Sequence, residues 1–371
     1  GADTAGDRNV AIGVQALTSQ NFTSTTDSYN VAIGYNAGYA ISTGVENTTV
    51  GGLSLDANTT GGRNTAYGYG SLGANTTGSY NTALGKGALD ANTTASHNVA
   101  IGVDSLGANT TGTDNVAVGA NALDANTTGN DNTGIGDNAL GANTTATGNT
   151  AVGADALITN STGASNVAVG KDALEANTTA DNNTAVGLAA MQANTTGTSN
   201  TAVGTYSLDA NTTANNNTAV GYASLTANTT GYQNSGMGTS ALAANTTANN
   251  NSALGYYALT ANTTGENNTA IGASSLGANT TASNNTAVGK GALLLNTTGT
   301  QNVAVGTFAL DANTTADNNT AIGYSALGLN TTASNNTAVG RAALADNTTG
   351  TANSALGAYS LDANTTGSYN T

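Results

Sequence analysis

The chain has 371 residues, with 49 Gly and no Cys, Pro or Trp, and only 7% of it is charged. Without Cys there is no disulfide framework, thiol nucleophile or zinc-thiolate site, and the single His, His97, cannot build a histidine cluster. A net charge of -15, from 21 acids and 6 bases, disfavours nucleic acid and anionic membranes, and no apolar run approaches the roughly 20 residues of a membrane-spanning helix.

In chain order, residues 1–46 are irregular. Asn9 opens a unit stretched to 21 residues by a segment around Asn21, Phe22 and Thr23, which reads as an N-terminal cap or loop, and Asn30 opens a degenerate unit. From Asn47 the chain is periodic. Asn47, Asn64, Asn81, Asn98 and every 17th residue to Asn353 is followed, two residues on, by a small-apolar-Gly triplet. Nineteen complete units run from Asn47 to Tyr369 without insertion or deletion. This regular array, 47–371, stops two residues into the unit that Asn370 begins and shows no capping pattern, so the natural chain is expected to continue.

Numbered from its Asn, each unit follows the template N-T-A-V-G-x-x-A-L-x-A-N-T-T-G-x-x. The fourth place is apolar in nearly every unit and the ninth is Leu or Met, so these two columns are the expected core, with Leu89, Ile101, Leu106, Val118, Leu123, Val186 and Leu208 as members. The third place is small (Ala83, Ala100, Ala117, Gly134), which suits close approach between chains. The fifth is always Gly, and the variable pairs at places six and seven and sixteen and seventeen read as turns.

Two Gly-rich breaks per unit and apolar residues five apart offer no sustained 3.6-residue stripe, so helix fails. The unbroken apolar columns oppose disorder. Short strands separated by turns, each pairing with its copy in the next unit, predict an all-β fold: a parallel β-solenoid or β-roll of stacked 17-residue coils. At about 4.8 Å per coil, nineteen coils predict an elongated rod ~90 Å long. One Val and one Leu per coil is a thin core, roughly 3 to 6 kcal/mol against 17 ordered backbones. Backbone and side-chain ladders must supply the remainder, together with surface buried between chains.

Units such as Asn285 to Gly299 (NTAVGKGALLLNTTG) and Asn98 to Gly112 (NVAIGVDSLGANTTG) resemble the repeats of bacteriophage tail-fibre proteins that precede an endosialidase-type intramolecular chaperone. More distantly, the N-V-A-I-G core at Asn30 to Gly34 is similar to the head repeats of trimeric autotransporter adhesins. The likeness covers nearly the whole chain and is distinctive for structure. It implies a homotrimeric, parallel β-roll fibre at a virion or cell surface, extracellular, used for attachment or as a spacer.

Candidate contact residues fall at the variable turns. Of 14 Tyr, 12 occupy places six, seven, sixteen or seventeen, and Tyr206, Tyr222, Tyr256, Tyr257, Tyr324 and Tyr359 are candidate contacts for a surface glycan receptor, against the plainer reading of solvated turn residues. Asp56, Asp90, Asp124, Asp209, Asp311 and Asp362 at place ten are acceptable Ca²⁺ ligands by chemistry, but they skip units and lack the ligand pattern of calcium-binding solenoids, so no metal and no cofactor is expected. The Asn-Thr-Thr at places twelve to fourteen is formally an N-glycosylation acceptor in every copy. Its structural reading is an amide ladder along the stack through Asn58, Asn75, Asn92, Asn109 and Asn126, with Thr hydroxyls bonding between coils.

The expected function is that of a non-enzymatic structural fibre or adhesin shaft. Two alternatives remain open: a self-assembling extracellular filament subunit that stacks end to end, and an ice-binding solenoid that uses Asn58, Thr60 and their copies as a flat array.

Overall fold

The computed structural model describes residues 6–371 and divides the chain into two compact units, Gly1–Asn183 and Thr184–Thr371. Among the described residues there is no helix; each unit is a β-solenoid of stacked 17-residue coils.

In the first unit, β1 (Gly6–Asp7) pairs in parallel with β3 (Thr26–Asp27), separately from the main sheet. β2 (Val10–Ile12) pairs with β4 (Val31–Ile33), and β4 with β5 (Thr48–Val50); the strands then recur every 17 residues to β12 (Val167–Val169). In the second unit they run from β13 (Thr184–Val186) to β23 (Ser354–Leu356). All pairings are parallel and aligned place upon place, for example Thr218 on Thr201, Ala219 on Ala202 and Val220 on Val203.

Each strand of the main sheet is only three residues long, at places two to four, because φ is positive at place five. There Gly204 has φ 137°, and a Cβ on it would lie 2.5 Å from the carbonyl oxygen of Gly221 in the next coil. Only Gly fits this approach. The remaining places are bonded between coils just as continuously. Leu208 N–H donates to Ser224 O at 3.0 Å, Thr229 N–H to Thr246 O at 2.9 Å and Tyr206 N–H to Leu188 O at 3.1 Å. The ladder therefore encircles the coil.

The interior differs from the expected one. The ninth-place column is core as expected, with Leu89, Leu106, Leu123 and Leu208 fully buried. The fourth-place column is not: Ile101, Val118 and Val186 are only half-buried, and Leu84, Ile135, Val220 and Leu254 are exposed. Alternation along a strand sends places two and four to the same face. The coil is too narrow to turn that face inward, so the small third place points in: Ala83, Ala100 and Ala117 are fully buried and cannot mediate approach between chains. A Cβ on Gly134 would sit 3.3 Å from Leu123 Cγ, which shows how closely the Leu of one coil packs beneath the third place of the next. Buried Ala or Ser at place eight completes the apolar interior.

The irregular start follows the same logic. Gly38 occupies the Leu place of its coil, and Ile41, three residues on, fills the vacated space; a Cβ on Gly38 would lie 2.9 Å from Ile41 Cδ1. Phe22, in the inserted segment, is buried. Gln20, at the twelfth place of the first coil, joins Asn9 and Ser28 in a closed ring of hydrogen bonds: Asn9 Nδ2 to Gln20 Oε1, Gln20 Nε2 to Ser28 Oγ and Ser28 Oγ to Asn9 Oδ1.

Candidate functional site

Two ladders of buried Asn run through each unit and determine which polar surface is left for solvent. At place twelve, Asn75 Nδ2 donates to Asn58 Oδ1 at 2.9 Å, Asn92 to Asn75 at 2.8 Å, Asn109 to Asn92 at 3.1 Å and Asn126 to Asn109 at 2.9 Å. Each amide also donates to the carbonyl three residues on, as Asn92 does to Ala95 O at 3.1 Å. The expected ladder therefore forms, and Thr76 Oγ1 donating to Thr93 O at 3.0 Å represents the hydroxyl bonds between coils. These Asn are fully buried. The Asn-Thr-Thr acceptors other than Asn364 are thus sealed in the folded chain, and the flat Asn58/Thr60 array expected of an ice-binding face is absent, because Asn58 points inward while Thr60 is exposed.

The second ladder, at place one, escaped sequence reasoning, which used that Asn only to mark the period. Asn81 backbone N–H donates to Asn64 Oδ1 at 3.0 Å, while Asn81 Nδ2 donates to Ala95 O at 2.9 Å. Both ladders converge on the place-fifteen carbonyl, which satisfies buried amides that would otherwise be costly. The recurrence of Asn at two fixed places in nearly every coil was the available signal.

What remains outside is a sheet face, two corners and the exposed Thr column at place fourteen. On the sheet face of each unit, a column of Thr, Val or Ser at place two runs beside a column of Val, Ile, Leu, Met or Tyr at place four, in strict register and half-buried to exposed. Leu254 is 51% exposed and Tyr67 55%.

The first corner, at places sixteen and seventeen, carries a chain of stacked groups in the first unit. Arg63 Nε bonds Glu46 Oε2 at 2.7 Å, its guanidinium lies 5.2 Å from the Tyr80 ring centroid, and Tyr80 stacks on His97 at 5.1 Å with the rings 10° apart. Place seventeen adopts positive φ throughout, which explains its many Asn (Asn216, Asn250, Asn267, Asn318), since a short amide tolerates the left-handed region best after Gly.

The second corner, at places six, seven and ten, holds the six expected tyrosines of the second unit, all exposed. Tyr206 meets Tyr222 edge to face at 6.3 Å, and Tyr256 meets Tyr257 at 4.2 Å. Arg341 lies between Tyr324 and Tyr359, 6.0 and 5.5 Å from their centroids. The tyrosines are thus separate clusters rather than one platform. The place-ten carboxylates line the same corner. Burial raises Asp56, Asp90, Asp124 and Asp311 from the ordinary Asp value, and Asp209 accepts a 2.6 Å hydrogen bond from Thr226 Oγ1. Among the described residues no three His, Cys, Asp or Glu side chains converge as a metal site would require.

No known family model matches this sequence, and no curated protein is significantly similar to it.

Proposed function

We propose that the chain is a non-catalytic structural element, a fibre or adhesin shaft displayed outside a cell or virion, which self-associates as a homotrimer through the outward face of its parallel sheet. The observation that carries this reading is the exposed aliphatic column at place four. Contiguous apolar surface beyond a few hundred Å² marks an interaction site on most soluble proteins. Eleven strands of three residues, at about 3.3 Å per residue and 4.8 Å per strand, give the second unit alone a face on the order of 500 Å², shared between the aliphatic place-four column and a mostly Thr and Ser column at place two, so the apolar part is about half of it. Covering one half-exposed Val or Ile contributes roughly 1 kcal/mol. Only many coils acting together exceed the ~4 to 15 kcal/mol cost of association. A long uninterrupted array supplies that multiplicity. The number three comes from the resemblance to tail fibres and adhesin heads, not from the face itself.

Sedimentation equilibrium tests the reading. Wild type is expected at three times 35.8 kDa. Val203→Lys with Val220→Lys, both at solvent-exposed positions, should fold yet shift toward monomer. A wild type that stays folded at 35.8 kDa, or a double variant that associates as wild type does, contradicts it.

A second reading, ice binding, is favoured by one observation: the place-two Thr column (Thr184, Thr201, Thr218) repeats in strict register beside the aliphatic column, a regular array of hydroxyl and methyl groups. Thermal hysteresis in the monomeric variant's parent would move the function to that reading, on this face rather than on Asn58 and Thr60.

A further inference from the structure

The geometry points to a binding subsite for one hexose residue of a neutral glycan at the place-ten corner around Gly277. Place ten carries a side chain in the coils on either side, Thr260 and Leu294, but not at Gly277. Leu294 Cδ1 leans to 3.3 Å from where a Gly277 Cβ would stand, and an open hollow of about 330 Å³ there is lined by Tyr257, Thr260, Ser274, Gly277, Leu294 and Leu295. A hollow of this size, open to solvent on one side, lies at the small end of the roughly 300 to 1,000 Å³ of ligand sites and suits a single sugar residue.

The lining has the two chemistries a pyranose needs. Tyr257 and the paired leucines offer apolar surface to the C–H face of a sugar ring, and Tyr257 is held at a fixed angle by its edge-to-face contact with Tyr256. Thr260 and Ser274 bring hydroxyls that both donate and accept. No charged side chain lines the hollow, and the chain as a whole carries -15, so the complementary occupant is uncharged. Beyond the Leu294–Leu295 wall, a second hollow of about 290 Å³ forms at Gly328, where Asp311, Asp346 and Ser325 present acceptors for sugar hydroxyls. The two glycines are three coils apart, about 14 Å at the strand spacing, so an oligosaccharide lying along the stack reaches both. The tyrosines elsewhere on this corner are less suited: Tyr324 and Tyr359 both face the Arg341 guanidinium.

This inference deepens the attachment role proposed above and rests on it only for where the glycan is met. The test is titration calorimetry of the full chain with cellotriose, maltotriose and lacto-N-triose as neutral probes and 3′-sialyllactose as an anionic one. Tyr257→Ala and Gly277→Leu install residues that other coils already carry at those places, Ala223 and Leu294, so both should fold, the flexible Leu294 side chain giving way to the new Cβ that would otherwise stand 3.3 Å from its Cδ1. A neutral trisaccharide is expected to bind wild type, at least tenfold more weakly to both variants, and unchanged to Tyr324→Ala. Absence of binding by every neutral probe overturns the inference, as does preference for the sialylated probe or affinity within twofold of wild type in Tyr257→Ala and Gly277→Leu. Sedimentation of the same samples keeps the two proposals apart: loss of sugar binding with unchanged mass concerns only the hollow, and loss of association with retained sugar binding concerns only the sheet face.

Discussion

Replacing Asn262 by Asp should destabilise the second unit more than replacing it by Ala, although Asp is the isostere. The Asn262 amide donates to Asn245 Oδ1 at 3.1 Å and to Gly265 O at 2.9 Å, and its Oδ1 accepts from Asn279 Nδ2 at 2.8 Å. The residue is fully buried. Asn262→Ala deletes three hydrogen bonds at about 1 kcal/mol each and leaves Asn245 Oδ1 without this donor, for a total of roughly 3 to 4 kcal/mol. Gly265 O retains the bond from Asn251 Nδ2, which limits the loss. Asn262→Asp keeps the bond from Asn279 but loses the two donor bonds, about 2 kcal/mol, and sets a carboxylate oxygen against two acceptors in a site without solvent, a further penalty of roughly 3 to 5 kcal/mol at neutral pH, so its total of about 5 to 7 kcal/mol exceeds that of Ala. Protonation restores one donor, so the Asp variant should recover part of its stability near pH 3 and the Ala variant should not. Thr264→Ala, on the exposed fourteenth place, should cost less than ~0.5 kcal/mol. Urea unfolding measures the totals. Hydrogen exchange of residues 251–284 shows whether the loss is confined to neighbouring coils, as expected where each repeat contacts only its neighbours. An Asn262→Asp variant as stable as wild type at pH 7 would refute the inward amide ladder.

Leu208→Asp should open its coil to protease, because it places an unpaired charge in the interior, whereas Asp209→Asn keeps the acceptor that Thr226 uses and should behave as wild type; equal protease sensitivity would show the faces to be misassigned. Burial raises the Asp56, Asp90, Asp124 and Asp311 carboxyls above their unfolded values, so their contribution to stability is fully present below the unfolded pKa and is lost as pH rises through the folded one. The melting temperature at pH 4 should therefore equal or exceed that at pH 7, and a fall of several degrees on acidification contradicts this. Passage through a eukaryotic secretory pathway should modify the Asn-Thr-Thr asparagines before the coils close, and a glycan on a fully buried amide excludes the fold; the secreted, glycosylated chain should lack β-sheet circular dichroism, whereas the same chain made in bacteria should show it. A protease-resistant chain glycosylated at Asn262 and Asn279 would contradict the ladder.

The period, the parallel stacking, the Leu column and the place-twelve ladder were legible because each follows from a repeat laid on itself at a fixed strand spacing. The direction of the strand face was not. In a three-residue strand such as Thr218–Val220 the pattern offers either two outer residues with Ala inside or the reverse, and residue size favours the wrong choice. What decides is the coil's width, which leaves room for Ala219 above Leu208 but not for Val220, and width depends on backbone geometry in the other fourteen places. Left-handed backbone at Leu208 and its copies was equally hidden, since nothing in a Leu signals positive φ. The Asn at place seventeen did carry such a signal. The same misplacement of faces assigned the contact between chains to the buried Ala column, and the structure moves the available surface to places two and four.

Disulfide trapping tests that surface most directly, because the chain has no Cys of its own. Val220→Cys, on the sheet face, and Thr230→Cys, on the exposed fourteenth place of the same coil, are each oxidised under native conditions and run without reductant. Association through the sheet face predicts a covalent dimer from Val220→Cys and none from Thr230→Cys. Cross-linking only at Thr230→Cys, or at neither position in a sample that sediments as an oligomer, would contradict it.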